Sequence, residues 1–149
     1  MNDLSHKLVF TCRFFAVSIA TLLLAGSLGC KDKLGPEPSE IYGIWTATKI
    51  EYVGKAGQET VNATDAGWTA TLTLNSDNTG DLAVTPKDTD TWHWAGTWEI
   101  DGDLFRIAGQ GADIQLSGST LYLTGFDGAY DFDNDSQLDP AKLNLVMVK

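Results

Sequence analysis

The chain has 149 residues, a formal net charge of −10 and two cysteines, Cys12 and Cys30. This acidity disfavours binding to nucleic acid and to anionic lipid surfaces, because like charges repel. Once a leader is removed, the length allows one domain with its own hydrophobic core and leaves too little for two.

Residues 1–29 have the layout of an export signal. Lys7 and Arg13 provide a positive start, and a mostly apolar run of 15 residues follows. That run fits the hydrophobic region of a signal peptide and is short of the roughly 20 residues that a membrane-spanning helix needs. Small residues then lead to Cys30, in an arrangement that resembles the lipobox of bacterial lipoproteins, with Ser27 in place of the usual leucine.

This resemblance implies that residues 1–29 are removed and that the thiol of Cys30 is lipidated. The N-terminal lipid would anchor the protein in the bacterial cell envelope. Lys31 stands where an Asp would favour the inner membrane, so the outer membrane is favoured. Residues 30–40 are polar and contain two prolines, which predicts a flexible tether. Without the leader, the chain has a net charge of −11 and no pair of cysteines for a disulfide. An ordinary secreted protein with a free cysteine and a protein with an uncleaved N-terminal anchor are the alternatives.

From Tyr42 onward the pattern is that of β-strands. Trp68, Ala70 and Leu72 alternate with threonines, and this period of two predicts a strand with one buried face. Alternation and turn signals together predict eight strands, near 42–53, 68–75, 79–85, 91–100, 103–108, 112–117, 120–125 and 142–148.

Turn residues predict the register of neighbouring strands. A three-residue turn places Leu72 opposite Leu82, and a Gly118-Ser119 turn places Leu116 opposite Leu121. In both hairpins the apolar residues fall on one face, so turn chemistry and hydrophobic pattern agree.

The central hairpin has the strongest turn signal, Asp101-Gly102, which suits a type I′ turn with positive φ at both positions. A two-residue loop there places Trp98 opposite Phe105. The first strand is less regular. Trp45 shares its parity with Lys49, which predicts a bulge or a strand that leaves the core at its far end.

Short connections make sequential strands antiparallel, and a meander of eight strands is expected to close because closure removes exposed edges. The predicted fold class is therefore all-β, an eight-stranded antiparallel up-and-down barrel after a signal peptide and a short tether. An open sandwich of the same strands is the alternative. A barrel of this size is either filled by side chains or wide enough for one small ligand.

Two motifs carry a family resemblance. Gly43-Ile44-Trp45 resembles the Gly-x-Trp opening of lipocalin barrels, and residues 96–104 resemble the central hairpin of small bacterial lipocalin-like lipoproteins. The resemblance covers residues 41–149 and implies a lipocalin-like barrel domain with Trp45 closing one end. The domain is shorter than a typical lipocalin and has no evident C-terminal helix, so a filled barrel fits as well as an open cup.

Aromatic residues are the candidate ligand-binding side chains. Four tryptophans share the inward parity of their strands, and Phe105 is predicted to lie opposite the last of them, Trp98. The candidates are Trp68, Trp92, Trp94, Trp98 and Phe105. Aromatic side chains on a barrel wall can stack on a small apolar ligand, or they can fill the core.

The segment 131–139 is the candidate metal site. Its aspartates are Asp131, Asp133, Asp135 and Asp139. Their spacing resembles calcium loops of the EF-hand, dockerin and thrombospondin-repeat kinds, in which alternate carboxylates converge on one ion. Ser136 stands where an EF-hand has Gly, and Lys142 stands where it has Glu. Ca²⁺ is thus the one cofactor that the sequence suggests, and a solvated acidic loop is the alternative.

Catalysis is not expected. His93 is the only histidine after the leader, and a zinc site needs several His or Cys ligands. Two functions remain open. The first is a membrane-anchored lipocalin-like lipoprotein that binds a small apolar ligand in the barrel. The second is a structural or interaction lipoprotein with a filled barrel and a calcium-stabilised acidic loop. The sequence identifies no protein partner.

Overall fold

A computed structural model describes residues 35–55 and 59–149. The predicted signal peptide and Cys30 lie outside the described residues. Among the described residues, no helix has the length and apolar character that crossing a membrane requires.

One helical turn and nine strands make up the described chain. They are α1 (Pro38–Ile41), β1 (Gly43–Gly54), β2 (Thr60–Asn62), β3 (Thr69–Leu74), β4 (Thr79–Thr85), β5 (Trp92–Asp101), β6 (Leu104–Ile107), β7 (Gln110–Ser117), β8 (Thr120–Tyr130) and β9 (Asp139–Val148). The helical turn begins within the segment that the sequence predicts to be a tether.

Strands β1 and β3–β9 form a closed antiparallel barrel of eight strands. Neighbours in sequence pair with each other, and β1 pairs with β9 to close the sheet. The predicted fold class is therefore confirmed, and the open sandwich is excluded. Strand β2, which the sequence did not predict, pairs with Glu51–Val53 in the second half of β1.

The irregularity predicted in the first strand is a β-bulge. The β1–β9 ladder shifts between Ala47 and Lys49, so Thr48 is the extra residue. A bulge of one residue reverses the alternation of side chains beyond it. Trp45 before the bulge and Ile50 after it are consequently both buried.

Two of the three predicted hairpin registers are confirmed. Leu72 pairs with Leu82, and Leu116 pairs with Leu121.

The predicted register of the central hairpin is wrong, because Trp98 pairs with Ile107 instead of Phe105. The turn is Gly102-Asp103, one residue later than predicted, and Gly102 has φ +64° while Asp103 has no positive φ. This arrangement follows the type II′ pattern, which confines positive φ to the glycine. A shift of two residues preserves the face, so Phe105 remains buried.

The barrel has two different ends. The closed end contains α1 and the β3–β4, β5–β6 and β7–β8 turns, and the opposite end, which we call the mouth, contains the other connections. Between them, buried side chains from all eight barrel strands fill the interior. The largest of the fully buried side chains, counting Ile41 of α1, are Trp45, Tyr52, Phe105, Ile41, Ile50, Leu72, Leu74, Leu82, Ile107, Leu121, Leu123 and Leu143.

Trp45 and α1 seal the closed end. The indole Nε1–H of Trp45 donates a hydrogen bond to the carbonyl oxygen of Ile41 at 2.7 Å, and both residues are almost fully buried. The ammonium of Lys149 lies 4.7 Å from the centroid of the Trp45 ring, at cation–π distance. The last residue of the chain thereby contacts the residue that closes the barrel.

Replacing Gly80 by Ala tests the packing of β3, β4 and β5. A Cβ there would lie 2.7 Å from the carbonyl oxygen of Thr73 and 3.0 Å from Cδ1 of Trp98. Because backbone must shift to relieve this overlap, we expect the free energy of unfolding in urea to fall by about 1–3 kcal/mol. Gly111→Ala is the control, since its Cβ would meet nothing closer than Leu104 Cδ1 at 3.7 Å. Equal stabilities of the two variants would contradict this packing.

Candidate functional site

The predicted ligand-binding residues divide into two groups. Trp98 and Phe105 belong to the core, with 3% and 0% of their surface exposed. The indole Nε1–H of Trp98 donates to the carbonyl oxygen of Asn75 at 3.2 Å, and its ring packs edge-on against Tyr42. Trp98 therefore has a structural position near the closed end.

The other three predicted residues remain partly exposed. Trp68 precedes β3, whereas Trp92 and Trp94 lie on β5, and each is only partly buried. Trp94 is the next inward-facing residue of β5 after Trp92, lies further from the mouth and packs against the core. The structure thus separates the predicted set into core tryptophans and tryptophans towards the mouth.

Trp68 is the centre of an aromatic cluster at the mouth. Its ring centroid lies 5.4 Å from Tyr52, 5.5 Å from Trp92 and 5.7 Å from Tyr130. Tyr130 also lies 5.2 Å from Phe132. These distances are typical of edge-to-face and tilted aromatic pairs. The result is an aromatic surface at the mouth, above a core that is filled by side chains.

Sequence reasoning missed the tyrosines of this cluster. Tyr52 faces inward because of the bulge in β1. Tyr130 belongs to the barrel because β8 continues five residues beyond its predicted end at 125. A second shift, between Thr124 and Phe126, lies in the β8–β9 ladder. Gly128 admits the Tyr52 ring, since a Cβ there would lie 3.1 Å from Tyr52 Cε1. Phe126 and Tyr130, four residues apart and therefore on one face of a strand, were the available signal for this extension.

The electrostatics of the mouth combine a neutral phenol with an exposed ion pair. Burial raises the pKa of Tyr52 well above its ordinary value of 10.0, and the neighbouring Tyr130 adds to the shift. Tyr52 therefore remains a neutral phenol at physiological pH. On the β8–β9 extension, Lys142 Nζ donates to Asp127 Oδ1 at 2.7 Å, and this hydrogen bond lowers the pKa of Asp127.

Three of the four aspartates of the predicted metal site come together. Carboxylate oxygens of Asp131, Asp133 and Asp135 lie within 4.8 Å of one another. Asp131 also accepts hydrogen bonds from the backbone N–H groups of Asp135 and Ser136, at 3.1 and 3.0 Å. Ser136 adopts φ +70°, a conformation for which the Gly of an EF-hand is better suited. Asp139 is the first residue of β9 and is not part of this group.

A separate groove lies outside the aromatic mouth. It has a volume of about 690 Å³ and runs between the N-terminal segment at Gly35 and strands β7 and β8. Its lining includes Asp113, Gln115 and Tyr122, and it contains none of the predicted site residues.

Comparisons with protein-family models, with curated proteins and with solved structures each gave no match. The likeness to lipocalins therefore rests on the closed eight-stranded antiparallel barrel itself.

Proposed function

We propose that this protein is a membrane-anchored, lipocalin-like binding module that holds a small apolar ligand at the mouth of its barrel. The observation that carries the proposal is the set of partly exposed tryptophans, Trp68, Trp92 and Trp94, beside a filled core. Aromatic surfaces of this kind bind apolar groups because burial removes apolar area from water and ring faces stack.

The filled interior defines how deep a ligand can reach. Leu72, Leu82 and Phe105 occupy the middle of the barrel and expose at most 1% of their surface. A ligand in the middle would have to displace such side chains, whereas a ligand at the mouth contacts rings that already face solvent in part. The mouth is therefore the favoured position within this proposal.

Binding of the neutral apolar dye Nile red tests the proposed site. We expect saturable binding to the wild-type barrel and a Kd about tenfold higher for Trp92→Ala, because one aromatic contact is lost. His93→Ala is the matched control, since His93 lies on the same strand with an exposed side chain. Fluorescence titration measures both Kd values. Absence of saturable binding, or equal Kd values for the two variants, would contradict the proposal.

The anchoring part of the proposal rests on Cys30 and on where the described chain begins. Gly35 lies so close to the carbonyl oxygen of Gly102 that a Cβ at Gly35 would overlap with it, which places Gly35 at the closed end. Five residues from Cys30 to Gly35 span at most about 17 Å. A lipid on Cys30 would thus hold the closed end near the membrane and leave the mouth free for a ligand.

Replacing Cys30 by Ser tests the anchor. We expect the wild-type protein in the membrane fraction of the producing bacterium and the variant in the soluble envelope fraction, because acyl chains contribute about 0.8 kcal/mol per buried methylene. Mass spectrometry of the purified wild-type protein should show cleavage before Cys30 and added acyl mass. A Cys30→Ser variant that stays with the membrane would refute lipid anchoring.

A second candidate function is a structural module whose acidic loop is stabilised by calcium. It is favoured by the convergence of Asp131, Asp133 and Asp135. Ca²⁺ takes six to eight oxygen ligands, so backbone carbonyl groups or water would have to complete the shell. An ion there would also relieve the repulsion among three neighbouring carboxylates.

Thermal unfolding with and without calcium tests the acidic loop. We expect millimolar Ca²⁺ to raise the Tm of the wild-type protein, since a ligand that binds only the folded state stabilises it. Asp133→Asn should weaken this rise, and Asp65→Asn, an exposed aspartate outside the loop, should preserve it. An unchanged Tm of the wild-type protein in calcium would exclude the site.

A further inference from the structure

The barrel wall is incomplete on one side of the mouth. Strand β5 has ten residues, whereas its neighbour β6 has four and pairs only with the segment Trp98–Asp101. The first half of β5 pairs with β4 on one side. Within the described residues, no strand pairs with this half of β5 on its other side, above the turn that joins β6 to β7.

Two hydrogen bonds establish which backbone groups face this gap. Trp98 N–H donates to Asn78 on the β4 side, and the carbonyl oxygen of Thr97 accepts from Ala108 on the β6 side. Backbone groups of successive strand residues point alternately to the two sides. The N–H and C=O groups of His93 and Ala95 therefore point into the gap.

The wall beside this half of β5 ends at the β6–β7 turn. Strands β6 and β7 meet at the turn of Ala108 and Gly109, and the segment Phe126–Tyr130 of β8 pairs with β9 alone among the described strands. An extended chain beyond that turn would lie one strand spacing, about 4.8 Å, from β5.

We infer that the free edge of β5 binds an extended peptide segment by strand addition. The segment would accept from the N–H groups and donate to the C=O groups of His93 and Ala95, as a sheet edge commonly does with an added strand. The inference goes beyond the proposed small apolar ligand because it rests on backbone groups of β5.

The two faces of β5 define the chemistry of the partner. An added strand would place alternate side chains beside the inward-facing Trp92 and Trp94, and these side chains should be apolar. The intervening side chains would lie beside the outward His93, which already pairs with Asp81 of β4, and next to the connection before β5 that carries Asp88 and Asp90, on a chain whose net charge is −10. Charge complementarity therefore favours basic residues at those positions, so the expected partner alternates apolar and basic residues.

Ala95→Pro is the decisive variant. Proline removes the N–H that faces the gap and leaves the bonds to β4 in place, as a proline on a sheet edge does. The probe is a synthetic peptide in which lysine and valine alternate. Its binding to the full-length protein is measured by calorimetric titration. We expect Ala95→Pro to raise its Kd about tenfold or more. Gln115→Ala, an exposed and uncharged position on β7, is the control and should leave the Kd unchanged.

A backbone-methylated peptide makes the test independent of the folding of the variant. Methylating the peptide nitrogens that would face β5 retains charge and side chains and removes the hydrogen-bond donors. Strand addition predicts that this peptide fails to bind the wild-type protein. Absence of binding by the unmodified peptide would overturn the inference. Equal binding of the two peptides would also overturn it and would indicate that the peptide is attracted by charge alone. The Nile red site could still exist in either case.

Discussion

Strand β1 holds the barrel together because it pairs with both β3 and β9. This pairing converts a meander of strands into a closed barrel by joining the first barrel strand to the last. The bulge at Thr48 lets this one strand bury Trp45 at the closed end and Tyr52 at the mouth. A strand that kept its parity would instead direct Lys49 and Glu51 into the core, where unpaired charges are costly.

The closed interior determines where binding can occur. A barrel of eight strands has room either for its own side chains or for one small ligand, and here large apolar side chains occupy it. Partly exposed aromatic rings are concentrated at the mouth, around Trp68, and the proposed lipid anchor would lie at the other end. The short β6–β7 hairpin opens the wall beside the same rings. The proposed position of a ligand at the rim thus follows from how the core is filled and where the strands end.

The sequence predicted the fold better than the site. Alternation located all eight barrel strands, and in two hairpins the turn and the apolar pattern admitted a single register. In the central hairpin, a turn at Asp101-Gly102 and a turn at Gly102-Asp103 both direct Trp98 into the core, so the apolar pattern does not distinguish the two registers. Parity also could not distinguish the core residue Trp98 from the mouth residue Trp92, because depth along the barrel depends on strand stagger. Tyr52 and Tyr130 joined the cluster through bulges, which alternation alone does not locate.

An NMR titration of the ¹⁵N-labelled protein with Nile red, followed through the indole N–H signals, distinguishes a ligand at the mouth from one inside the barrel. The chain has five tryptophans, which lie at both ends of the barrel. A ligand at the mouth should shift the signals of Trp68, Trp92 and Trp94, while those of Trp45 and Trp98, which donate to backbone carbonyl groups, stay in place. Shifts of Trp45 and Trp98 as large as those at the mouth would show a ligand inside the barrel and contradict the filled core.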